Sequence, residues 1–129
     1  MEENSSRSVP VVLRFRGGKT ERCMTSPDID NGQRMVRCVR ESDSVEEIPF
    51  SELKAVFFLR DPALEATTEE TASGKTIAVE FSDGEIIRGI SAEFSPERNG
   101  FFMFPLDRSK SEKIFVVNSA IVSIEIEKF

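Results

Sequence analysis

The sequence contains no histidine, no tryptophan and no tyrosine. Without imidazole there is no Ser-His-Asp or Cys-His nucleophile, no His-ligated zinc and no two-His-one-carboxylate iron centre. Only two cysteines are present, Cys23 and Cys38, too few for a thiolate zinc site unless carboxylates or a second subunit complete it. No apolar run reaches the roughly 18 residues of a membrane span, and Met1 to Pro10 (MEENSSRSVP) lacks the hydrophobic centre of a signal peptide. The expectation is a cytoplasmic protein with reduced thiols and no membrane association. Positive charge is also in deficit: 17 Lys and Arg stand against 23 Asp and Glu, a net charge of −6. That balance argues against binding of nucleic acid or an anionic membrane surface driven by net charge.

What is present is phenylalanine, eleven of them in 129 residues, within an apolar fraction of 39%. The length suits one ordinary domain or two very small ones that lean on each other, because a unit below roughly 60 residues buries too little surface to be stable alone. An internal repeat favours the second arrangement. Val11 to Leu59 reappears at an offset of 66, with Phe15 on Phe81, Gly18 on Gly84, Arg22 on Arg88 and Ile48 on Ile114.

Each copy opens as a hairpin. VVLRFRGGKTERC places Gly17-Gly18, and TIAVEFSDGEIIRG places Asp83-Gly84, between alternating runs, where both residues tolerate the positive φ of a tight primed turn. Further strands are expected at Arg34 to Val39 and Phe101 to Phe104, then at Glu46 to Pro49 and Lys113 to Val117, with Ala55 to Leu59 and Ile121 to Ile126 closing the copies. In the last, Val122, Ile124 and Ile126 alternate with polar residues and are expected to face the core. Five short strands per copy predict an all-β protein of two tandem five-stranded Sm/SH3-like small barrels packed together. Residues 1–10 read as a flexible tail, 11–60 as the first barrel, 61–74 as a linker and 75–129 as the second barrel. The linker, DPALEATTEETASG, has four acidic and no basic residues.

The segments FSDGEIIRG, FSPERNGFFMFPLD and IFVVNSAIVSIEI, with VLRFRGG to SELKAVFFLRD as a diverged sister, resemble an uncharacterised bacterial domain that occurs beside signalling modules, each repeat similar to the Sm fold. The V-x-F-x-D-G-E opening, SPERNGFF and LKAVFFLRD carry the resemblance. It implies a β architecture and a regulatory role, and it transfers no catalytic activity. Sm proteins that bind uridine-rich RNA present an Asn near the third strand and an Arg-Gly pair before the fifth. Here Asn99 stands near the first position, but Asn118-Ser119 occupies the second and Glu52-Leu53 its counterpart in the first copy. The N-terminal helix of Sm proteins is missing as well.

The candidate contacts are basic and apolar. The first 40 residues hold eight Lys or Arg against five acids, and Arg34, Arg37 and Arg40 on or beside the third strand offer paired donors to a phosphate or carboxylate. A solvated strand edge explains the same residues without a ligand. Phe57, with Ala55 and Leu59, forms an apolar outer face on the first copy; it is read either as the seam with the second barrel or as a groove for a partner or a second copy. Asp83, Glu85, Glu93, Glu97, Cys23 and Cys38 are the residues with catalytic chemistry, but Asp83 has a conformational reason to sit in a turn and Cys38 reads as a buried, inert thiol. No enzyme activity, catalytic residue, metal or cofactor is expected. The functional expectation is a non-catalytic protein-interaction or regulatory module in bacterial signalling, with homo-oligomerisation open. The alternatives are an Sm-like nucleic-acid-binding protein, for which the Phe residues near Arg98 lack a polar handle, and a PilZ-like cyclic-dinucleotide receptor, whose motif spacing RMVRCVR and EFSPER do not match.

Overall fold

In both hairpins the turn glycine sets the geometry. Gly18 and Gly84 have φ of 95° and 91°, in the left-handed region that costs an L side chain energy and glycine nothing. The Gly18 N–H donates to the Phe15 carbonyl and the Gly84 N–H to that of Phe81, while Phe15 and Phe81 donate to the carbonyls of Lys19 and Glu85. The expected two-residue primed turn, with positive φ at both central positions, is therefore not the one used. One glycine per hairpin takes the left-handed position after an ordinary turn, as in longer hairpin loops.

The computed structural model describes residues 8–26, 29, 33–59, 74–92, 97–106 and 111–127. Nearly all of the proposed tail and linker, and residues 93–96 with Glu93, lie outside them. Ten strands follow in chain order: β1 Val9–Phe15, β2 Thr20–Thr25, β3 Met35–Val39, β4 Val45–Pro49, β5 Leu53–Leu59, β6 Lys75–Phe81, β7 Ile86–Ser91, β8 Gly100–Pro105, β9 Ser111–Val117 and β10 Ile121–Ile126. One-turn 3-10 helices, Phe50–Glu52 and Asn118–Ala120, precede β5 and β10. Strand β1 begins at Val9, so the last two residues read as tail belong to the sheet.

All pairings are antiparallel, and the strands form one open sheet in the order β10-β6-β7-β8-β9-β5-β1-β2-β3-β4. Among the described residues the sheet thus has free edges at β4 and β10. Within it, β1–β5 and β6–β10 have the same internal order, the closing strand returning beside the opening one. Backbone contacts match too. Phe50 N–H donates to the Arg34 carbonyl and Asn118 N–H to that of Asn99; Arg16 N–H donates to Glu52 and Ser82 N–H to Ala120. These contacts, and the β1·β5 and β6·β10 registers, align the closing strands at an offset of 68, Leu53 with Ile121. Past the hairpins the offset of 66 does not hold: Val36 corresponds to Phe101 and Ile48 to Val116, not to Ile114.

The halves meet where β5 pairs with β9. Both seam strands bury side chains on both faces, so each serves two cores. Val56 and Phe58 of β5 join Phe115 and Val117 of β9 in a cluster with Val11, Leu13, Val36 and Ile48. Ala55 of β5 joins Ile114 and Val116 of β9 in a second cluster with Ile77, Val79, Phe101 and Met103. Each half therefore completes its core with side chains from the other.

At the far edge the expected alternation fails. Val122 is 63% exposed and Ile126 49%, because β10 has a neighbour on one side only and its ladder with β6 breaks between Ile121 and Ser123, where Val122 is the unpaired residue of a bulge. Ile121 and Ile124 are the residues that pack on the second core.

Candidate interaction groove at the seam

Three registered residues floor a groove across the seam. Val12 of β1 faces Phe57 of β5, and Phe57 faces Ile114 of β9, on the side of the sheet opposite to the first core. Around them Leu59, Ile86, Ile87, Pro105 and Leu106 complete an apolar wall, and Arg14, Glu85 and Arg88 supply charge; the open space between them is about 550 Å³. Ile86 and Leu106, 53% and 54% exposed, stand at its rim. Phe57 is half-buried and packs on the second core. It thus lies at the seam and also on the floor of the groove.

One end of the groove is pinned by a chain of charges. The Arg14 guanidinium lies 4.9 Å from the Phe57 ring centroid and donates to Glu85 at 2.8 Å. Glu85 also accepts from Lys54, and Lys54 donates to Asp83 at 2.8 Å. Lys54 is 4% exposed, its ammonium 4.7 Å from the centre of the Phe81 ring. It is the bulge residue that the β1·β5 ladder skips, which turns it toward the second hairpin. The Lys54 ammonium, with the Glu85 backbone N–H, holds the Asp83 carboxyl below its ordinary range. Asp83 and Glu85, weighed above for catalysis, are here counter-ions to a buried lysine that ties the first half to the second.

The basic residues of the third strand do not converge. Arg37 is exposed in mid-strand, its register partner Glu47 beside it. Arg40 donates to Glu21 and, at 2.7 Å, to Glu46; the bond from Arg40 pulls the Glu21 carboxyl below its usual value against the opposing effect of burial. Arg34, at the opposite end of β3, lines a second cleft of about 660 Å³ with Phe50, Arg98, Asn99, Asn118 and Ser119. There the Asn99 amide donates to the Gln33 carbonyl at 3.0 Å and the Asn118 amide to that of Arg98 at 2.7 Å, and Arg16 donates to Ser119.

Cys23 and Cys38 are buried free thiols on neighbouring strands. Burial, with Cys38 beside it, pushes the Cys23 thiol well above its ordinary range. Among the described residues no group of three or more His, Cys, Asp and Glu is placed to hold a metal ion, and no helix is long and apolar enough to cross a membrane.

The model of DUF6982, a family of unknown function, matches residues 7–128. The chain belongs to this family. No curated protein and no solved structure matches it. The DUF6982 match runs from before β1 to beyond β10, so the seam and its groove lie inside a single family unit.

Ile86, Leu106 and Lys54 were not singled out from the sequence. For Ile86 a signal existed: in EIIRG it alternates with Ile87, so one of the two had to face outward. Leu106 and Lys54 gave none, since their surroundings come from strands distant in the chain.

Proposed function

We propose that the chain is a tandem of two Sm/SH3-like small-barrel units acting as a cytoplasmic, non-catalytic protein-interaction module in bacterial signalling, and that it holds an extended partner segment in the seam groove. The matching strand order and backbone contacts of the two halves support the tandem reading. The observation that carries the functional reading is the Val12-Phe57-Ile114 row: apolar residues floor an open groove whose rim exposes Ile86 and Leu106. An exposed apolar patch of this kind is the usual mark of a contact surface. Arg88 at the rim, exposed although ion-paired with Glu127 at 3.5 Å, favours a partner with a carboxylate near its apolar anchors.

The test is affinity capture from native lysate with the intact chain and with Ile86→Asp/Leu106→Asp. Both positions are exposed, so the double variant is expected to fold as the parent does. Loss of a specific captured protein, with an unchanged melting curve, supports the groove. The same set of proteins on both chains sinks it. This probe is cleaner than Phe57→Asp, which would also damage the second core.

A second reading rests on the second cleft, where the exposed Arg34 stands beside Phe50 and Ser119, near both 3-10 turns. Nucleic acid held there would bind with steep salt dependence, and Arg34→Glu would abolish the binding. Capture through the apolar groove would vary little with salt.

A further inference from the structure

The two open edges of the sheet are counterparts of the two strands that already pair at the seam. Strand β5 closes the first half and β10 the second; β4 is the fourth strand of the first half and β9 of the second. The seam joins β5 to β9. Among the described residues a β10 edge and a β4 edge thus present the same two kinds of strand, unpaired, at the two ends of the strand order. We propose that copies of this chain associate head to tail, β10 of one copy pairing with β4 of the next in the register of the internal seam.

The register can be transposed. The seam sets Ala55 against Val116, Phe57 against Ile114 and Phe58 against Lys113. The closing strands align as Ala55 with Ser123 and Phe58 with Ile126, from their ladders with β1 and β6. The fourth strands align as Ile48 with Val116, since Val36 faces Ile48 and Phe101 faces Val116. Between copies this sets Ser123 against Ile48, Glu125 against Glu46 and Ile126 against Val45. Ile126 and Val45 are each 49% exposed in the single chain, and the pairing would cover both.

Three features of the edges bear on this register. Pro49, which lacks a backbone donor, aligns with Val117, and Val117 lies beyond the β5·β9 ladder, so the proline removes no bond from the transposed pairing. Glu46 already accepts from Arg40, and Arg37 stands beside Glu47. The acids of β4 are therefore backed by cations when Glu125 of another copy approaches. A heterologous contact of this kind closes into a ring or continues as a filament, according to the rotation at each step.

Sedimentation velocity of the intact chain over a wide concentration range is the test. The expected result is a mass that grows with concentration in whole-chain steps. Val45→Lys blocks one edge and Ile126→Lys the other, and each alone should weaken association at least tenfold. An equimolar mixture of the two should form a dimer and stop, because it retains one unblocked edge of each kind. A parent chain that stays monomeric at the highest concentration overturns the proposal. So does either variant alone associating as the parent does, which would mean that like edges pair. The groove reading is untouched by either result, and the concentration dependence of the parent stands even if a variant unfolds.

Discussion

Lys54 concentrates the electrostatic cost of the fold in one side chain. Its ammonium is buried, whereas its partners Asp83 and Glu85 are 44% and 36% exposed. The pair is therefore asymmetric to mutation. In Lys54→Met the carboxylates return to water and Arg14 still serves Glu85, so the loss is expected to be small. In Asp83→Asn/Glu85→Gln the ammonium stays buried without counter-charge, which is destabilising. Chemical denaturation should rank the double neutralisation as clearly the more damaging, and the opposite ranking would refute the assignment. The sign of the acid response follows from Asp83 and Glu21, both held below their ordinary values. Such groups stabilise the fold above the unfolded-state pKa of about 4 and lose that contribution as pH falls through the lower folded value. Melting temperature should fall on acidification through this range, less steeply in Asp83→Asn than in the parent. The thiols offer a separate check. Cys23, buried and with its thiol pushed up, has little thiolate at neutral pH. Alkylation followed by mass should leave the native chain unmodified and label both cysteines in denaturant; rapid native labelling would show that the β2–β3 core opens.

At the scale of the strands, local pattern and tertiary context contributed differently. The hairpins, and the existence and approximate limits of the ten strands, were legible because period-2 alternation and turn glycines are properties of neighbouring residues. The edges were not. Val122 alternates like a core residue, yet a bulge and a missing neighbour place it in solvent. The opposite error was open at β5, where alternation alone would leave Ala55 and Phe57 on a wet face; they are covered because β9 comes from the other half. For the same reason only part of the candidate site was readable. Phe57 was visible as an apolar residue out of phase, whereas its groove required knowing that β1, β5 and β9 lie side by side. Two glycines inside strands show the same dependence. A side chain at Gly89 would lie 2.6 Å from the Phe104 carbonyl oxygen, and one at Gly100 would press on the Val116 carbonyl and the Phe115 ring. Gly100 sits where β8 meets β9, next to both cores. Gly100→Ala should cost about 1–3 kcal/mol through overpacking, while Gly17→Ala, with nothing within 4 Å, should cost much less. Equal losses in thermal melts would argue against so tight a β8–β9 contact.

For the molecule as a whole the seam decides what the folding unit is. A half of about 50 residues has at most about 3–7 kcal/mol of stability to spend, at the usual marginal stability per residue. Detaching the second half strips Phe115 and Val117 from the first core, and burial of each side chain is worth about 1.5–3 kcal/mol. The second core in turn loses Ala55 and the packing of Phe57, and Lys54 is drawn away from Asp83 and Glu85. For the first half those losses are comparable with the whole stability available; the second half loses less apolar burial, together with the β5 strand that covers β9. Residues 8–59 and residues 74–127 are thus expected to be unfolded as separate peptides, with no cooperative melt by circular dichroism. Mixed in equimolar amounts they should regain strand signal and a cooperative transition whose midpoint rises with concentration, because the β5·β9 ladder can form between two chains as it does within one. A cooperative melt from either peptide alone would show that the two cores are independent and that the seam is a docking contact between finished domains. Reconstitution would show that the seam is part of the fold itself, so that a partner bound in the groove stabilises the entire chain.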